Sequence, residues 1–281
     1  MKLEDIDLYD YFRVEKPKDD TKGILHCYYL DNDPETGMSR IHPTILIIPG
    51  GGYGFVSYRE GEPIATKFLS YGFHAAVLEY TVAPNAHYPQ ILNEAIMANV
   101  YLHRTIEKHH GAKDNIAGIG FSAGGHLLGL LNTTTDQEIS SLGFKRREVT
   151  LNGSVYSYPV VSSNKEIMHS GSFENLTNHN EELAKELAIE NRPIENASPS
   201  YIWTTKDDDL VSYKNSELLR DILTTANIDN ELHIFEHGCH GLSTNDINVY
   251  HEDVLKKLPV NSSWIKEAVH FLNQHNIKIK D

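Results

Sequence analysis

The chain has 281 residues, 40% of them hydrophobic, which is an ordinary globular composition with enough apolar side chains for a sizeable core. Its 39 acidic residues against 25 basic ones leave a formal net charge of −14. Such an anionic surface repels nucleic acid and anionic lipid, so no nucleic-acid or membrane partner is expected. The opening stretch MKLEDIDLYDYFRVEKPKDD carries many acids and no apolar core of leader length. No later run reaches bilayer-spanning length, so a cytoplasmic location is expected. The two cysteines, Cys27 and Cys239, fit a reducing compartment without a bridge.

Taken in chain order, residues 23–30 (GILHCYYL) alternate and run into the turn-rich DNDPETG, which predicts a hairpin-like edge strand. Residues 44–54 (TILIIPGGGYG) begin as a continuous β-branched run, the pattern of a strand buried on both faces, and end in glycines. Ile64, Ala65, Phe68 and Leu69 give helical spacing over 60–71, and 72–80 (GFHAAVLEY) is another strand. The clearest helix is 89–108, where Leu92, Ala95, Ile96, Asn99, Leu102 and Ile106 share one face.

A strand at 115–121, a helix at 122–131 and a strand at 152–161 follow. After them come a strand at 200–205, a helix at 213–226 and a last strand at 231–237. An amphipathic helix at 262–275 closes the chain, with Ser262 or Ser263 as its cap and Glu267 in its first turn. Repeated strand–helix alternation predicts one α/β domain over 1–281, a mostly parallel central sheet flanked by helices. Residues 162–198 break the rhythm. They are polar, hold one predicted helix at 180–190, and read as a cap or lid insertion. The triplet Asn175-Leu176-Thr177 within them reads as polar loop.

The chemistry turns on residues 118–131, GIGFSAGGHLLGLL. Gly118-x-Gly120-x-x-Ala123 matches a dinucleotide fingerprint, but the acidic residue that fingerprint needs some 20 positions on falls in polar, strand-free sequence. No Gly-Lys-Ser/Thr follows either, which excludes a P-loop. Gly120-Phe121-Ser122-Ala123-Gly124 is instead G-x-S-x-G at a strand-to-helix junction, the context of a nucleophile elbow.

A serine hydroxyl needs a histidine base oriented by a carboxylate, in the chain order Ser, acid, His. TTKDDDLV and HIFEHGCHGLS supply them after the last two strands. His240 is preferred as base because it lies in the loop, and His237 as structural. Asp208 is preferred over Asp207 and Asp209, which read as solvated loop. Cys239 and His240 lack a second ligand group at metal spacing, so no metal is expected. An oxyanion needs preorganised N–H donors. The Ala123 amide and the glycines of IIPGGGYG stand where such donors belong.

These segments resemble the α/β-hydrolase superfamily, and within it the bacterial carbohydrate-esterase-like branch related to acetyl xylan esterases and hormone-sensitive-lipase-type esterases. The likeness runs from about Thr44 to His275 and rests on PGGGYGFVSYREGEPIA, AVLEYTVAP, GFSAGGHLLGLL, TTKDDDLV and ELHIFEHGCHGLS. It implies Ser122 as nucleophile, Asp208 (of Asp208-x-x-Val211) as acid and His240 as base. Gly51, Gly52 and Ala123 are its implied oxyanion donors. Pro49 stands where related lipases carry histidine before the glycines, which resembles the sugar-ester branch.

The expected activity is that of a serine carboxylesterase on short-acyl, above all acetyl, esters of sugars or small alcohols, with no cofactor. Tyr53, Phe55, Tyr58, Arg59 and Glu60 are candidate substrate contacts. An acetylated oligosaccharide is the expected partner, and the chain is open to homo-oligomer formation. A serine peptidase of the same fold and a non-catalytic hydrolase-fold receptor are the alternatives.

Overall fold

The β-branched run that opens at Thr44 forms the centre of the molecule. The computed structural model describes residues 1–35, 37, 39–256 and 263–280. Among them, eight strands form one sheet: β1 (Lys2–Asp7), β2 (Ile24–Tyr29), β3 (His42–Ile48), β4 (His74–Glu79), β5 (Gly111–Phe121), β6 (Gly153–Ser157), β7 (Ser200–Thr205) and β8 (Asn230–Phe235). Their spatial order is β1-β2-β4-β3-β5-β6-β7-β8. The β1–β2 and β2–β4 pairs are antiparallel, and every later pair is parallel.

All seven residues of β3 are buried, because helices cover both faces of the sheet. Successive side chains point to opposite faces. Leu46 and Ile48 therefore join the cluster built with the helices Gln90–Thr105 and Ala123–Asn132, while Ile45 and Ile47 join the one built with Glu62–Ser70 and Trp264–Gln274. The edge strand β8 has only partial burial.

Four expectations change. The strand at Ile24–Tyr29 is neither at the edge nor hairpinned to its successor, since β1 lies outside it and β4 lies between it and β3. The segment KLEDID carries no apolar alternation and its Leu3 is exposed, so β1 is held by backbone pairing that leaves no hydrophobic signal. The 162–198 insertion holds two α-helices, Ser170–Thr177 and Glu181–Leu187, where one was expected, and Asn175–Thr177 is the last turn of the first rather than loop. Ser263 takes the cap position of the closing helix with a helical backbone and no side-chain cap bond, and Ser262 lies outside the described residues. Glu267 does stand in the first turn. Both cysteines are free, Cys27 buried and Cys239 exposed. Among the described residues no helix is long and apolar enough to cross a membrane.

What the fold positions is the carboxyl edge of the parallel strands. The loops 49–54, 122, 206–211 and 236–241 leave β3, β5, β7 and β8 at that edge.

Candidate active site

Ser122 sits between β5 and the helix Ala123–Asn132 with φ 54° and ψ −120°. A non-glycine residue held at positive φ is strained unless the surroundings fix it. Here they do: the Ser122 N–H donates to Ser157 O at 3.0 Å, and its carbonyl accepts from His126 and Val160. The turn is possible only because the chain passes so closely. A Cβ on Gly120 would lie 2.4 Å from the Gly124 carbonyl oxygen, and one on Gly124 would lie 2.1 Å from that of Ile48.

The serine faces a two-link chain. His240 Nε2 lies 2.8 Å from Ser122 Oγ, and His240 Nδ1 lies 2.8 Å from Asp208 Oδ2. The other carboxylate oxygen, Oδ1, accepts from the Leu210 and Val211 amides at 3.0 and 2.9 Å. Asp208 is thereby held on both oxygens in a side chain 1% exposed, and His240 is 13% exposed. The Tyr158 ring packs edge-on to the imidazole. Asp207 and His237 form a separate pair at 3.1 Å on the surface, and Asp209 is exposed.

Of the three positions implied as oxyanion donors, Gly51 and Gly52 border the cleft and Ala123 directly follows Ser122 in the chain. Gly51, Gly52, Ser122 and His240 line one cleft of about 390 Å³. Among the described residues, the N–H groups of Gly51, Gly52 and Ala123 have no hydrogen-bond acceptor. The loop that carries the glycines is held from two sides. Buried Glu60 accepts from Gly50 N at 2.9 Å and from Tyr158 Oη at 2.7 Å. Burial, with the Glu60 carboxylate opposite, pushes the Tyr158 phenol far up, so the hydroxyl keeps its proton and donates. From the insertion, Asn175 Nδ2 donates to Gly52 O at 2.9 Å.

Not every candidate contact reaches the cleft. Tyr53 is fully buried, its hydroxyl 2.8 Å from His126 Nδ1, so it supports the loop from beneath instead of meeting substrate. Tyr58 is 90% exposed and lies outside the cleft. Glu60 borders the cleft, but both its oxygens are taken by the bonds above. Arg59 and Phe55 do line it, the Arg59 guanidinium bonded to Tyr250 Oη at 3.1 Å.

Among the cleft residues that escaped sequence reasoning are His169 and Asn175. Both belong to the polar insertion, and no local pattern marks a contact across more than a hundred residues. The one available signal was the helical spacing of Phe173, Leu176 and Thr177, which buries one face of that segment. His169 Nδ1 lies 2.7 Å from Ser172 Oγ. Burial, followed by the nearby His240, holds its pKa below the usual imidazole range.

The BD-FAE family model matches residues 32–223 of the chain. Endo-1,4-beta-xylanase B of Butyrivibrio fibrisolvens is 29% identical over 206 residues, covering 71% of this chain and 32% of that protein. The acetylxylan esterase of Xylanibacter ruminicola is 25% identical over 256 residues, covering 88% and 49%. The chain thus spans about a third to a half of the length of these curated relatives. Among solved structures, the acetyl ester-xyloside bifunctional hydrolase from Caldicellulosiruptor lactoaceticus superposes with a TM-score of 0.81 at 28% identity, over 98% of this chain and 97% of that one. A carboxylesterase from Lactobacillus plantarum shares the fold over the full length of both chains, with a TM-score of 0.84 at 21% identity. The family match covers well over half of the sequence, and so the chain, which has the α/β-hydrolase fold, belongs to the BD-FAE family.

Proposed function

We propose that the chain is a serine carboxylesterase that removes short acyl groups, acetyl first, from hydroxyl-rich alcohols such as partly acetylated oligosaccharides. The observation that carries this reading is the Asp208–His240–Ser122 chain, 2.8 Å at each link, beside three backbone N–H groups left without acceptors. Ser122 Oγ attacks the ester carbonyl as its proton passes to His240 Nε2. Asp208 holds Nδ1–H and stabilises the imidazolium. The carbonyl oxygen, now negative, sits among the N–H groups of Gly51, Gly52 and Ala123 at the positive end of the helix Ala123–Asn132. His240 returns the proton to the leaving alcohol. Water then attacks the acyl-enzyme by the same route and frees the acid. No step calls on a metal or an organic cofactor.

The cleft of about 390 Å³ has room for an acyl group beside Ser122. An acetylated sugar suits the names of the two similar proteins that act on acetylxylan and on an acetyl ester-xyloside. Residues 1–281 work as one domain in this reading, with 162–198 a fixed cap. Its attachments support that role: Tyr88 N to Leu176 O, Ile189 N to Val161 O, and Asn175 to Gly52.

The test is the hydrolysis rate of p-nitrophenyl esters from acetate to octanoate, with Ser122→Ala alongside. Acetate is expected fastest, with rates falling as the acyl chain lengthens and vanishing in the variant. No turnover dependent on Ser122 for any ester would overturn the reading and turn attention to peptide substrates or to pure ligand binding.

A further inference from the structure

Beside the cleft lies a second hollow of about 500 Å³ that the acyl-transfer chemistry leaves unused. Ser57 and Arg59 line both, so the 57–59 segment borders each of them. The floor of the hollow is apolar, with Pro49, Val56 and Val77. Its rim carries Tyr28, Glu62 and Asn248, and Tyr58 stands fully out beside them. Apolar floor and hydrogen-bonding rim match a pyranose ring, which offers a C–H face to aromatic and aliphatic groups and hydroxyls around its edge.

Two polar groups here are uncommitted. The Ser57 residue is buried at the junction, and its hydroxyl has no hydrogen-bond partner among the described residues. Nor does the Glu62 carboxylate have an ion-pair partner among them. Arg59, the cation at the boundary, is engaged with Tyr250. Glu79 is paired with Lys22 and lies 3.4 Å from His26, so Glu62 is the carboxylate left without an ion pair among the described residues at the hollow, and with the net charge of −14 it favours a neutral ligand over an anionic one.

We propose that this hollow binds neutral sugar units adjoining the one whose ester lies at Ser122, so that the cleft and the hollow together hold an acetylated oligosaccharide. The catalytic half of that statement rests on the esterase reading. Sugar binding in the hollow does not.

The test has two arms, so that the two ideas fail separately. In the first, the Ser122→Ala protein is titrated calorimetrically with unacetylated xylotetraose and with the same oligosaccharide bearing a glucuronic acid branch. Saturable binding of the neutral sugar is expected, weaker for the acidic one, and about tenfold weaker when Asn248→Trp is added to fill the hollow. In the second arm, kcat/KM of Asn248→Trp and of Glu62→Gln is compared on p-nitrophenyl acetate and on acetylated xylotetraose. Loss of about tenfold through KM is expected on the oligosaccharide, with the small ester within about twofold.

Absence of binding by the Ser122→Ala protein, or binding that neither variant weakens, overturns the inference. Failure of wild-type protein to hydrolyse p-nitrophenyl acetate overturns the esterase reading alone, and the binding arm still decides the hollow. If Asn248→Trp does not fold, Glu62→Gln carries both arms.

Discussion

Two aspartate–histidine pairs leave the ends of the same two strands. Asp207 and Asp208 are neighbours after β7, and His237 and His240 stand three residues apart after β8. The pairs look alike on paper, 3.1 Å for Asp207–His237 and 2.8 Å for Asp208–His240. Their surroundings differ. The first pair is more than half exposed on both sides, the second almost fully buried. Two unit charges about 4 Å apart attract by only ~1 kcal/mol in bulk water, but by about 4 kcal/mol at the effective dielectric near a protein surface. Only the buried pair is further fixed by two backbone amides on its carboxylate, and only its histidine reaches Ser122. Strand-end pairing of Asp with His is therefore not a sign of function. Burial, a fixed carboxylate and a third partner are.

The contrast breaks most sharply by substitution in the buried pair. Asp208→Asn, which cannot orient the imidazole in the same tautomer, and His240→Ala are each expected to lower kcat/KM on p-nitrophenyl acetate by about 10,000-fold, roughly 5 kcal/mol. Circular dichroism should show both variants folded. A loss below about tenfold in Asp208→Asn would remove Asp208 from the chemistry.

A third histidine sharpens the comparison on the side of stability. His126 is wholly buried between the 162–198 insertion and the 49–54 loop, Nε2 at 2.9 Å from Leu187 O and Nδ1 at 2.8 Å from Tyr53 Oη. The carbonyl requires Nε2–H, so Nδ1 accepts from the tyrosine. Burial holds its pKa down, to about 4, well below the ordinary 6.5. The unfolded chain then takes up a proton between about pH 6.5 and 4 that the folded one refuses. Stability is lost as pH falls through that window, by at most about 3 kcal/mol from this group. Urea unfolding of wild type and His126→Gln at pH 7 and pH 4.5 measures it. The variant should be less stable at pH 7 but show a shallower decline, and equal slopes would refute the assignment.

A smaller effect separates the 162–198 insertion from the Asp208–His240–Ser122 chain. Asn175→Ala removes the side-chain bond from the 162–198 insertion to the Gly52 carbonyl, loosening the proposed oxyanion loop without touching Ser122. An approximately tenfold fall in kcat on p-nitrophenyl acetate with KM nearly unchanged is expected, about 1.4 kcal/mol. An unchanged kcat would make the contact purely structural.

What could be read from the sequence divides along the same lines. Ser122 is marked by its neighbours, because the turn forces glycine at 120 and 124 through backbone contacts of 2.4 and 2.1 Å, and such constraints are local. The strand–helix rhythm was equally legible, since burial on both faces of β3 and β4 leaves continuous apolar runs. The choice among Asp207, Asp208 and Asp209 had no local mark, and it leaned on resemblance. Tyr53 looks like a cleft residue in the chain, yet its backbone at φ 59° and its full burial place it beneath the loop, while Glu60, at the edge of the cleft, braces that loop with both oxygens. Asn175 and His169 were hidden altogether. Their helix meets the 51–54 loop only through tertiary folding.

The smallest expected effect is the most discriminating, because it concerns the near-twin pair. Asp207 accepts from Gly238 N at 2.6 Å and from His237, both at the solvent-facing end of β8. The hydrogen bond with His237, and that from the Gly238 amide, draw its pKa below the usual carboxylate range. Any stability it lends is present above the unfolded carboxylate pKa and fades as pH falls through the lowered folded value. Solvent and salt screen such an exposed pair at neutral pH. Asp207→Asn keeps an acceptor for Gly238, so the loop before His240 should hold its path. Its kcat/KM on p-nitrophenyl acetate should stay within about twofold of wild type, and raising the salt should shrink any change in unfolding midpoint. A fall as deep as that of Asp208→Asn would mean that the surface pair, and not the buried one, orients the base.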